Sequence, residues 1–213
     1  MSKKLAIVIC VASILLSGIN IHSDTKDAYV NRDITADNAG DIGTLKSVLD
    51  NYVETKTEDS PYNVENVNYK IVEVAYKEIG NIGGEKYWRF FGKSEHSNWC
   101  AMFVSWCAYQ VGYIDAGIMP MCASTREMET WYKERDLWYD ADIVPEPGMI
   151  IHFDYSTILD YSHQDGVSDH VGIVVRADEE NVYIIEGNYN DECVYNIYPL
   201  DFEYILGYSK GNF

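Results

Sequence analysis

The spacing of apolar residues changes along the chain, and this change constrains the fold more than any other feature. From Tyr69 onward, apolar residues recur at helical spacing, and further helical runs follow. After Pro145 and Pro147 the pattern becomes short runs of β-branched and aromatic residues separated by polar turns. Helices followed by a series of antiparallel strands predict an α+β domain.

The same patterns place the individual elements. A first helix is expected from Tyr69 to the glycine at position 80, a second over 99–111, and a third over 125–134 with Ser124 or Thr125 as its cap. Between the first two helices, a glycine-containing loop leads to an aromatic cluster. Strands are predicted over residues 148–153, 170–175, 182–187, 193–198 and 204–208.

The chain divides into three segments by composition. Residues 1–23 have the features of an export signal, because two lysines precede an uncharged, mostly apolar run over 5–16. An uncleaved signal-anchor is the alternative, since apolar character continues beyond that run. Residues 24–66 are polar and are expected to form a flexible or loosely docked leader, and residues 67–213 to form the folded domain.

The formal net charge of −18 excludes one group of partners. Proteins that bind DNA, RNA or anionic membranes neutralise phosphates with basic side chains, and this chain has an excess of acids. We therefore expect no nucleic-acid partner and no lipid binding beyond the N-terminal signal. Any attraction to an anionic polymer has to come from specific contacts.

The cysteines do not form the pattern of a structural framework. Cys10 lies in the export signal, and Cys100, Cys107, Cys122 and Cys193 remain after it. Their spacing is not that of a disulfide-dense domain, and there is no CxxC pair for zinc. At least one cysteine is therefore available for chemistry.

Cys100 lies at the start of the second predicted helix. The unpaired N–H groups and the positive dipole end of a helix stabilise a thiolate there. The same groups can bind the oxyanion of a tetrahedral intermediate. Cys107, two turns further along, is expected to be an inert packing residue. Because a single cysteine is more often simply buried, its role depends on its neighbours.

Candidate neighbours lie on two strands that are expected to form a hairpin. His170 opens one strand and Glu186 lies near the end of the next. Side chains on one face of a strand alternate, so the register decides whether these two meet. If the numbers of opposed residues add up to an even number, as when His170 faces Asn188, Glu186 lies on the same face as His170. If the sum is odd, the two point to opposite faces, and the sequence does not fix the choice.

The even register gives each side chain a role. His170 would take the proton of Cys100, or hold it as a thiolate–imidazolium pair, and later protonate the leaving amine. Glu186 would accept a hydrogen bond from the other ring nitrogen and select the tautomer, and Asn188 could support that network. The alternatives are a structural histidine and a glutamate at a strand end in solvent.

Short motifs in this order resemble the CHAP family, the cysteine, histidine-dependent amidohydrolases/peptidases. The resemblance runs from about Tyr69 to the C-terminus and covers about two thirds of the chain. The residues that carry it are Ile79-Gly80, Gly83-Gly84-Glu85-Lys86-Tyr87-Trp88, Trp99-Cys100-Ala101, Phe103-Val104-Ser105-Trp106-Cys107, Pro147-Gly148-Met149-Ile150-Ile151-His152-Phe153, Ser168-Asp169-His170-Val171-Gly172-Ile173-Val174 and Ile185-Glu186-Gly187-Asn188.

The resemblance implies a papain-like fold, with N-terminal helices packed on a small antiparallel sheet. It places the nucleophile on Cys100, the general base on His170, the orienting acid on Glu186 and an assisting residue on Asn188. The implied substrate is the peptidoglycan stem peptide, cleaved through a thioester by an N-acetylmuramoyl-L-alanine amidase or an endopeptidase. We expect a monomer without a cofactor, secreted or cell-wall associated, or anchored through an uncleaved signal.

The chain departs from the family in two respects. Some members carry an acidic calcium-binding loop before the nucleophile, and residues 91–98 offer only Glu95 and Asn98 for this purpose. No calcium is therefore predicted there. No separate wall-binding module is recognisable, so the sequence does not explain how the protein would find its substrate.

Two other functions stay open on the sequence alone. One is a zinc-dependent hydrolase built on a His- and Asp-rich loop, although zinc ligands usually show tighter and more regular spacing. The other is a catalytically inactive wall-binding or scaffold protein. The candidate metal ligands are His152, Asp154, Asp160, His163, Asp165, Asp169 and His170.

Three tryptophans are candidates for substrate contact. Trp131 and Trp138 flank a loop that precedes the predicted strands, where an aromatic groove could stack on sugar or peptide. Trp99 is adjacent to Cys100, but it also fits a core position.

Overall fold

The computed structural model describes Ser47, residues 68–155 and residues 164–212. All of these lie within the compact unit Asn38–Phe213. The expected export signal, and the polar leader apart from Ser47, lie outside the described residues. No helix in the described part of the chain is long and apolar enough to cross a membrane.

Helices make up the first half of the described chain. The three expected helices are present, and a short additional one, α2, lies where the sequence indicates only a loop and an aromatic cluster. Helix α2 begins after Gly84, which has a left-handed backbone with φ of 55°. The helices are α1 (Asn68–Tyr76), α2 (Glu85–Phe90), α3 (Cys100–Gln110) and α4 (Thr125–Lys133).

An antiparallel sheet of six strands makes up most of the second half. Its order is β1-β6-β2-β3-β4-β5, and every neighbouring pair is antiparallel. The five predicted strands are confirmed, and the sequence does not predict the short edge strand β1. The strands are β1 (Trp138–Asp140), β2 (Ile150–Phe153), β3 (His170–Ala177), β4 (Asn181–Tyr189), β5 (Glu192–Pro199) and β6 (Ile205–Ser209).

Helix α3 lies against the sheet and connects the two halves of the fold. It contacts β3 and β4, and α1 contacts both α3 and β3. Eight of its eleven residues are buried, as expected for a helix that is apolar on nearly all sides. Helices combined with an antiparallel sheet confirm the α+β class.

The register of β3 against β4 is the even one. Gly172 pairs with Glu186 and Ile173 with Ile185, so the numbers of each pair add up to 358. A bulge between Val174 and Arg176 shifts the register further along, away from His170. Glu186 and His170 therefore lie on the same face of the hairpin.

Candidate active site

Cys100 is the first residue of α3. Trp99 occupies the N-cap position without a side-chain cap, and the first intrahelical bond runs from the Phe103 N–H to the Trp99 carbonyl at 2.8 Å. The N–H groups of residues 100–102 therefore precede the hydrogen-bond ladder of the helix, where the positive end of its dipole lies. Only 6% of Cys100 is exposed.

His170 lies between the thiol and a carboxylate. Its Nε2 is 2.6 Å from Glu186 Oε2, and the Cys100 thiol is hydrogen-bonded to the ring. With Nε2 engaged by Glu186, Nδ1 is the nitrogen left for the thiol. Burial alone would lower the pKa of His170, but the hydrogen bonds to Cys100 and Glu186, together with their negative charges, outweigh burial and raise that pKa to about 10. The arrangement favours a protonated imidazole.

Glu186 is fully buried and its carboxylate is held by three donors. Besides His170 on Oε2, Asn196 Nδ2 donates to Oε1 at 2.6 Å and the Tyr198 hydroxyl donates to the same oxygen at 2.8 Å. Burying an ionised carboxylate is costly unless it is paired and hydrogen-bonded. These bonds satisfy Glu186 on both oxygens and fix its orientation towards His170.

The structure does not bring Asn188 into this network. Its backbone is left-handed, with φ of 64°, and its side chain makes no hydrogen bond to Cys100, His170 or Glu186 within the described residues. The carboxylate is instead supported by Asn196 and Tyr198. The polar side chains that hydrogen-bond to Glu186 are therefore on β5, and not at the end of β4.

Asn196 and Tyr198 lie outside every motif singled out in the sequence, yet the register of β5 contains a signal for them. Glu186 pairs with Val194 and Ile184 with Asn196, so even-numbered residues of β5 share the face of Glu186. Asn196 is a buried amide, while the other residues over 193–198 are apolar or aromatic. A buried polar residue at that register position indicates a buried partner on the neighbouring strand.

Aromatic rings flank His170 on the side of β2. The ring centroids of Phe153 and Tyr155 lie 6.0 and 6.1 Å from that of His170. Phe153 is fully buried. This apolar flank limits the access of water and therefore strengthens the electrostatic interactions of the imidazole with Glu186 and the thiol.

A second polar network holds the start of β3. The Ser168 N–H donates to Glu129 Oε2 at 2.8 Å, and the Thr125 hydroxyl donates to the Ser168 carbonyl at 2.7 Å. Glu129 is buried and also pairs with Lys133 Nζ at 2.6 Å. Ser124 is the N-cap of α4 but makes no side-chain cap bond. Helix α4 is thereby tied to the segment two residues before His170.

The three tryptophans differ in exposure. The ring of Trp99 is fully buried, so the structure places it in the core and not on a surface where substrate could stack. Trp131 and Trp138 are half-buried, and each ring carries a cation over its face, Arg135 at 4.3 Å and Lys133 at 4.4 Å. A role of these two in substrate binding stays a prediction.

The candidate metal ligands are largely accounted for by other contacts. Both ring nitrogens of His152 lie within hydrogen-bond distance of serine hydroxyls, Ser168 at 3.2 Å and Ser209 at 2.9 Å, and burial lowers the pKa of His152 to about 3. Asp160 and His163 lie outside the described residues. Within 68–155 and 164–212, no group of three His, Cys, Asp or Glu side chains is arranged to hold a metal ion.

The other three cysteines are free and buried. Burial is the largest influence on each and raises the pKa of the Cys107 thiol, of Cys193 and, to about 11, of Cys122. A buried thiol with a raised pKa is a poor nucleophile. Among the described cysteines, Cys100 alone is hydrogen-bonded to a histidine.

Two of the solved structures that match the chain are distant likenesses. "The crystal structure of Ly7917" is 16% identical with a TM-score of 0.44, and the match covers 68% of this chain and 62% of that one. "The crystal structure of Ly7917 with the hydrolyzing product of MDP" is also 16% identical, with a TM-score of 0.45 and coverages of 68% and 63%. The chain thus spans less than two thirds of either structure. No curated protein sequence matches the chain significantly.

The family comparison is specific to the segment that contains the site. Residues 92–188 match the family model of the CHAP domain, and Cys100, His170 and Glu186 all lie within that match. The match confirms the resemblance found in the sequence motifs: over these residues the chain is similar to the CHAP domain family.

Proposed function

We propose that the chain is an exported cysteine hydrolase that cleaves amide bonds of peptidoglycan, either as an N-acetylmuramoyl-L-alanine amidase or as a stem-peptide endopeptidase. The observation that carries the proposal is the position of His170, which is hydrogen-bonded to the Cys100 thiol and 2.6 Å from a fully buried Glu186. Substrate class follows from the family, and export follows from the pattern of residues 1–23.

The first half of the reaction forms an acyl-enzyme. The Cys100 thiolate attacks the carbonyl carbon of the amide, and the carbonyl π electrons move to the oxygen. The N–H groups at the start of α3 are placed to stabilise that oxyanion. As the oxyanion collapses, the C–N bond breaks, the His170 imidazolium gives its proton to the leaving nitrogen, and a thioester remains on Cys100.

The second half releases the acyl group. Neutral His170 now takes a proton from a water molecule, whose oxygen attacks the thioester carbon. The C–S bond breaks, the carboxylic product leaves, and the thiolate–imidazolium pair is restored. Throughout, Glu186 keeps the ring oriented and stabilises its positive charge without accepting the proton itself.

Digestion of purified peptidoglycan tests the proposal directly. Cys100→Ala is expected to release no fragments, because it removes the attacking sulfur. Cys107→Ala is a matched control on the same helix and is expected to retain activity, since that thiol is buried away from His170. Mass spectrometry of the fragments released by the wild type identifies the bond that is cleaved. Fragment release by Cys100→Ala would overturn the proposal.

Two inhibitors separate the thiol mechanism from a metal mechanism. Alkylation of Cys100 by iodoacetamide is expected to abolish fragment release, and a chelator is expected to leave it unchanged. Loss of activity with the chelator but not with the alkylator would instead support a zinc-dependent hydrolase. A chain that releases nothing in any condition, yet sediments with the wall, would support the scaffold alternative.

A further inference from the structure

Trp99, the residue before Cys100, is tightly packed. Trp99 is fully buried, and its ring stacks on Tyr87 with centroids 5.1 Å apart. A Cβ on Gly84 would lie 2.3 Å from Trp99 Cδ2, and a Cβ on Gly187 would lie 2.6 Å from Trp99 Cζ3. The backbone at Gly84 and the backbone at Gly187 thus approach the indole so closely that only glycine fits at either position. The ring has almost no freedom to move.

The polar edge of the same ring is fixed by one carboxylate. Trp99 Nε1 donates to Asp191 Oδ1 at 3.0 Å, and His96 Nε2 lies 2.7 Å from that oxygen. The hydrogen bond from Trp99 is the largest cause that lowers the pKa of Asp191, so the carboxylate is ionised at neutral pH. A charged acceptor forms a stronger bond to the indole N–H than a neutral one would.

The segment that presents Asp191 is itself constrained. It runs from the end of β4 into the turn before β5, and Asn188, Asn190 and Asp191 all have left-handed backbones, with φ of 64°, 49° and 65°. Asn and Asp are the non-glycine residues that tolerate this conformation best. The Gly83 N–H donates to the Asp191 carbonyl at 2.8 Å and ties the turn to the loop before α2.

These contacts converge on the position of the sulfur. Trp99 is the N-cap of α3, so fixing its ring fixes the point at which the helix begins, and Cys100 is the next residue. The turn that holds Trp99 follows the strand that carries Glu186. One hairpin therefore orients the imidazole through Glu186 and the nucleophile helix through Asp191.

We propose that Asp191 and Trp99 are positioning residues for the thiol: the hydrogen bond between Trp99 Nε1 and Asp191 Oδ1 holds the start of α3 so that Cys100 meets His170. The proposal rests on the role of Cys100 as the nucleophile. It predicts that breaking this bond lowers the reactivity of the folded protein, since a displacement of about 1 Å can cost about 10²-fold in rate.

The test uses the rate of Cys100 alkylation by iodoacetamide in the full chain at pH 7, quantified by mass spectrometry of the peptide that carries Cys100. This rate requires no peptidoglycan, so its outcome is independent of the proposed substrate. Asp191→Ala and Trp99→Phe are both expected to slow alkylation by about 10-fold or more. Asp191→Asn keeps an acceptor oxygen and is expected to restore most of the rate.

Two measurements separate positioning from general destabilisation. Asp191 is 46% exposed at its side chain, so its substitution does not open the core, and thermal unfolding is expected to show a folded protein. His96→Ala removes the other partner of the same oxygen but leaves the Trp99 bond intact, and is expected to react at the wild-type rate. The proposal is overturned if folded Asp191→Ala reacts like the wild type, if Asp191→Asn is as slow as Asp191→Ala, or if His96→Ala is equally slow.

Discussion

The Glu186 carboxylate shows how a single residue can organise the site. It is fully buried, and an ionised carboxylate in that position is unfavourable unless its oxygens are occupied. Asn196 and Tyr198 occupy Oε1, which leaves Oε2 for His170 at 2.6 Å. Because the two β5 side chains both donate to Oε1, they fix the carboxylate with its other oxygen towards the ring. The His170–Glu186 pair therefore depends on support from a third strand.

Replacing Glu186 by Gln tests this arrangement. The site presents three donors to the two carboxylate oxygens, but a glutamine amide has only one oxygen and places an NH₂ group where the other oxygen was. One donor is then left unpaired, or His170 must change its tautomer. We expect fragment release to fall by about 10²- to 10⁴-fold, as when the orienting acid of a triad is neutralised. Tyr198→Phe is the matched control: it removes one donor of three, at about 1 kcal/mol, and should lower the rate by less than about 10-fold. Equal rates for wild type and Glu186→Gln would contradict the orienting role.

The protonation of His170 makes a prediction about pH. Burial opposes the charge, but Cys100 and Glu186 raise the pKa of His170 to about 10, against about 6.5 in an unfolded chain. The folded protein therefore holds this proton more tightly, so the contribution of His170 to stability is complete below about pH 6.5 and is lost as pH rises through about 10. Activity should decline over the same alkaline range, because the imidazolium can no longer protonate the leaving amine.

Titration of the His170 ring by NMR measures this pKa directly. Cys100→Ala removes one of the two partners and is expected to lower the pKa of His170 from the wild-type value. Glu186→Gln should lower it as well. A wild-type ring that titrates near its ordinary value would contradict the thiolate–imidazolium pair.

At the scale of elements, the contact between α3 and the hairpin depends on glycine. Gly187→Ala would place a methyl group 2.6 Å from Trp99 and 2.7 Å from Phe103, both fully buried in the core. Overpacking of this kind costs about 1–3 kcal/mol, so the free energy of unfolding should fall by that amount or more. Gly84→Ala adds a clash at 2.3 Å to a backbone with φ of +55°.

Gly117→Ala is the matched control for Gly84→Ala. Its backbone is also left-handed, with φ of +69°, but nothing lies within 4 Å of the added Cβ. It should cost only about 1 kcal/mol of backbone strain. Chemical denaturation of the three variants compares these costs. If Gly84→Ala and Gly117→Ala were equally stable, the close approach to Trp99 would not contribute.

The sequence can predict the elements that contain a clear period and the residues that carry the chemistry. Helix α3 and the hairpin of β3 and β4 are recognisable from it, and the even register is identifiable as the condition for the site. The choice of register is not predictable, because both faces of the hairpin are apolar and neither alternation identifies the core side. Whether Asn196 and Tyr198 reach Glu186 depends in the same way on the register of β5 against β4. Their contact with Glu186 therefore follows only from the structure.

The two elements that the sequence does not predict are short. Strand β1 has three residues at the edge of the sheet, and α2 has six between glycines at 83, 84 and 92. Elements of this length show no complete period, so they are defined by their partners: β1 by pairing with β6, and α2 by packing against α3. Trp99 is ambiguous in the sequence for a related reason, because an aromatic residue beside a nucleophile suits both a groove and a core.

At the scale of the whole molecule, the charge bears on the proposed cell-wall substrate. With a net charge of −18 and an isoelectric point near 4.5, the chain is repelled by anionic polymers at neutral pH. If the wall is the substrate, as proposed, its recognition must then come from short-range contacts.

Salt dependence tests this conclusion. Raising the ionic strength from about 0.01 M to about 0.15 M shortens the Debye length from about 30 Å to about 8 Å. Because this screens repulsion, binding of Cys100→Ala to intact walls should increase with salt, as measured by co-sedimentation, and fragment release by the wild type should rise in parallel. Walls stripped of their anionic polymers are the control and should show a smaller change. Binding that weakened steadily with salt would mean that a local basic surface, and not short-range recognition, brings the protein to its substrate.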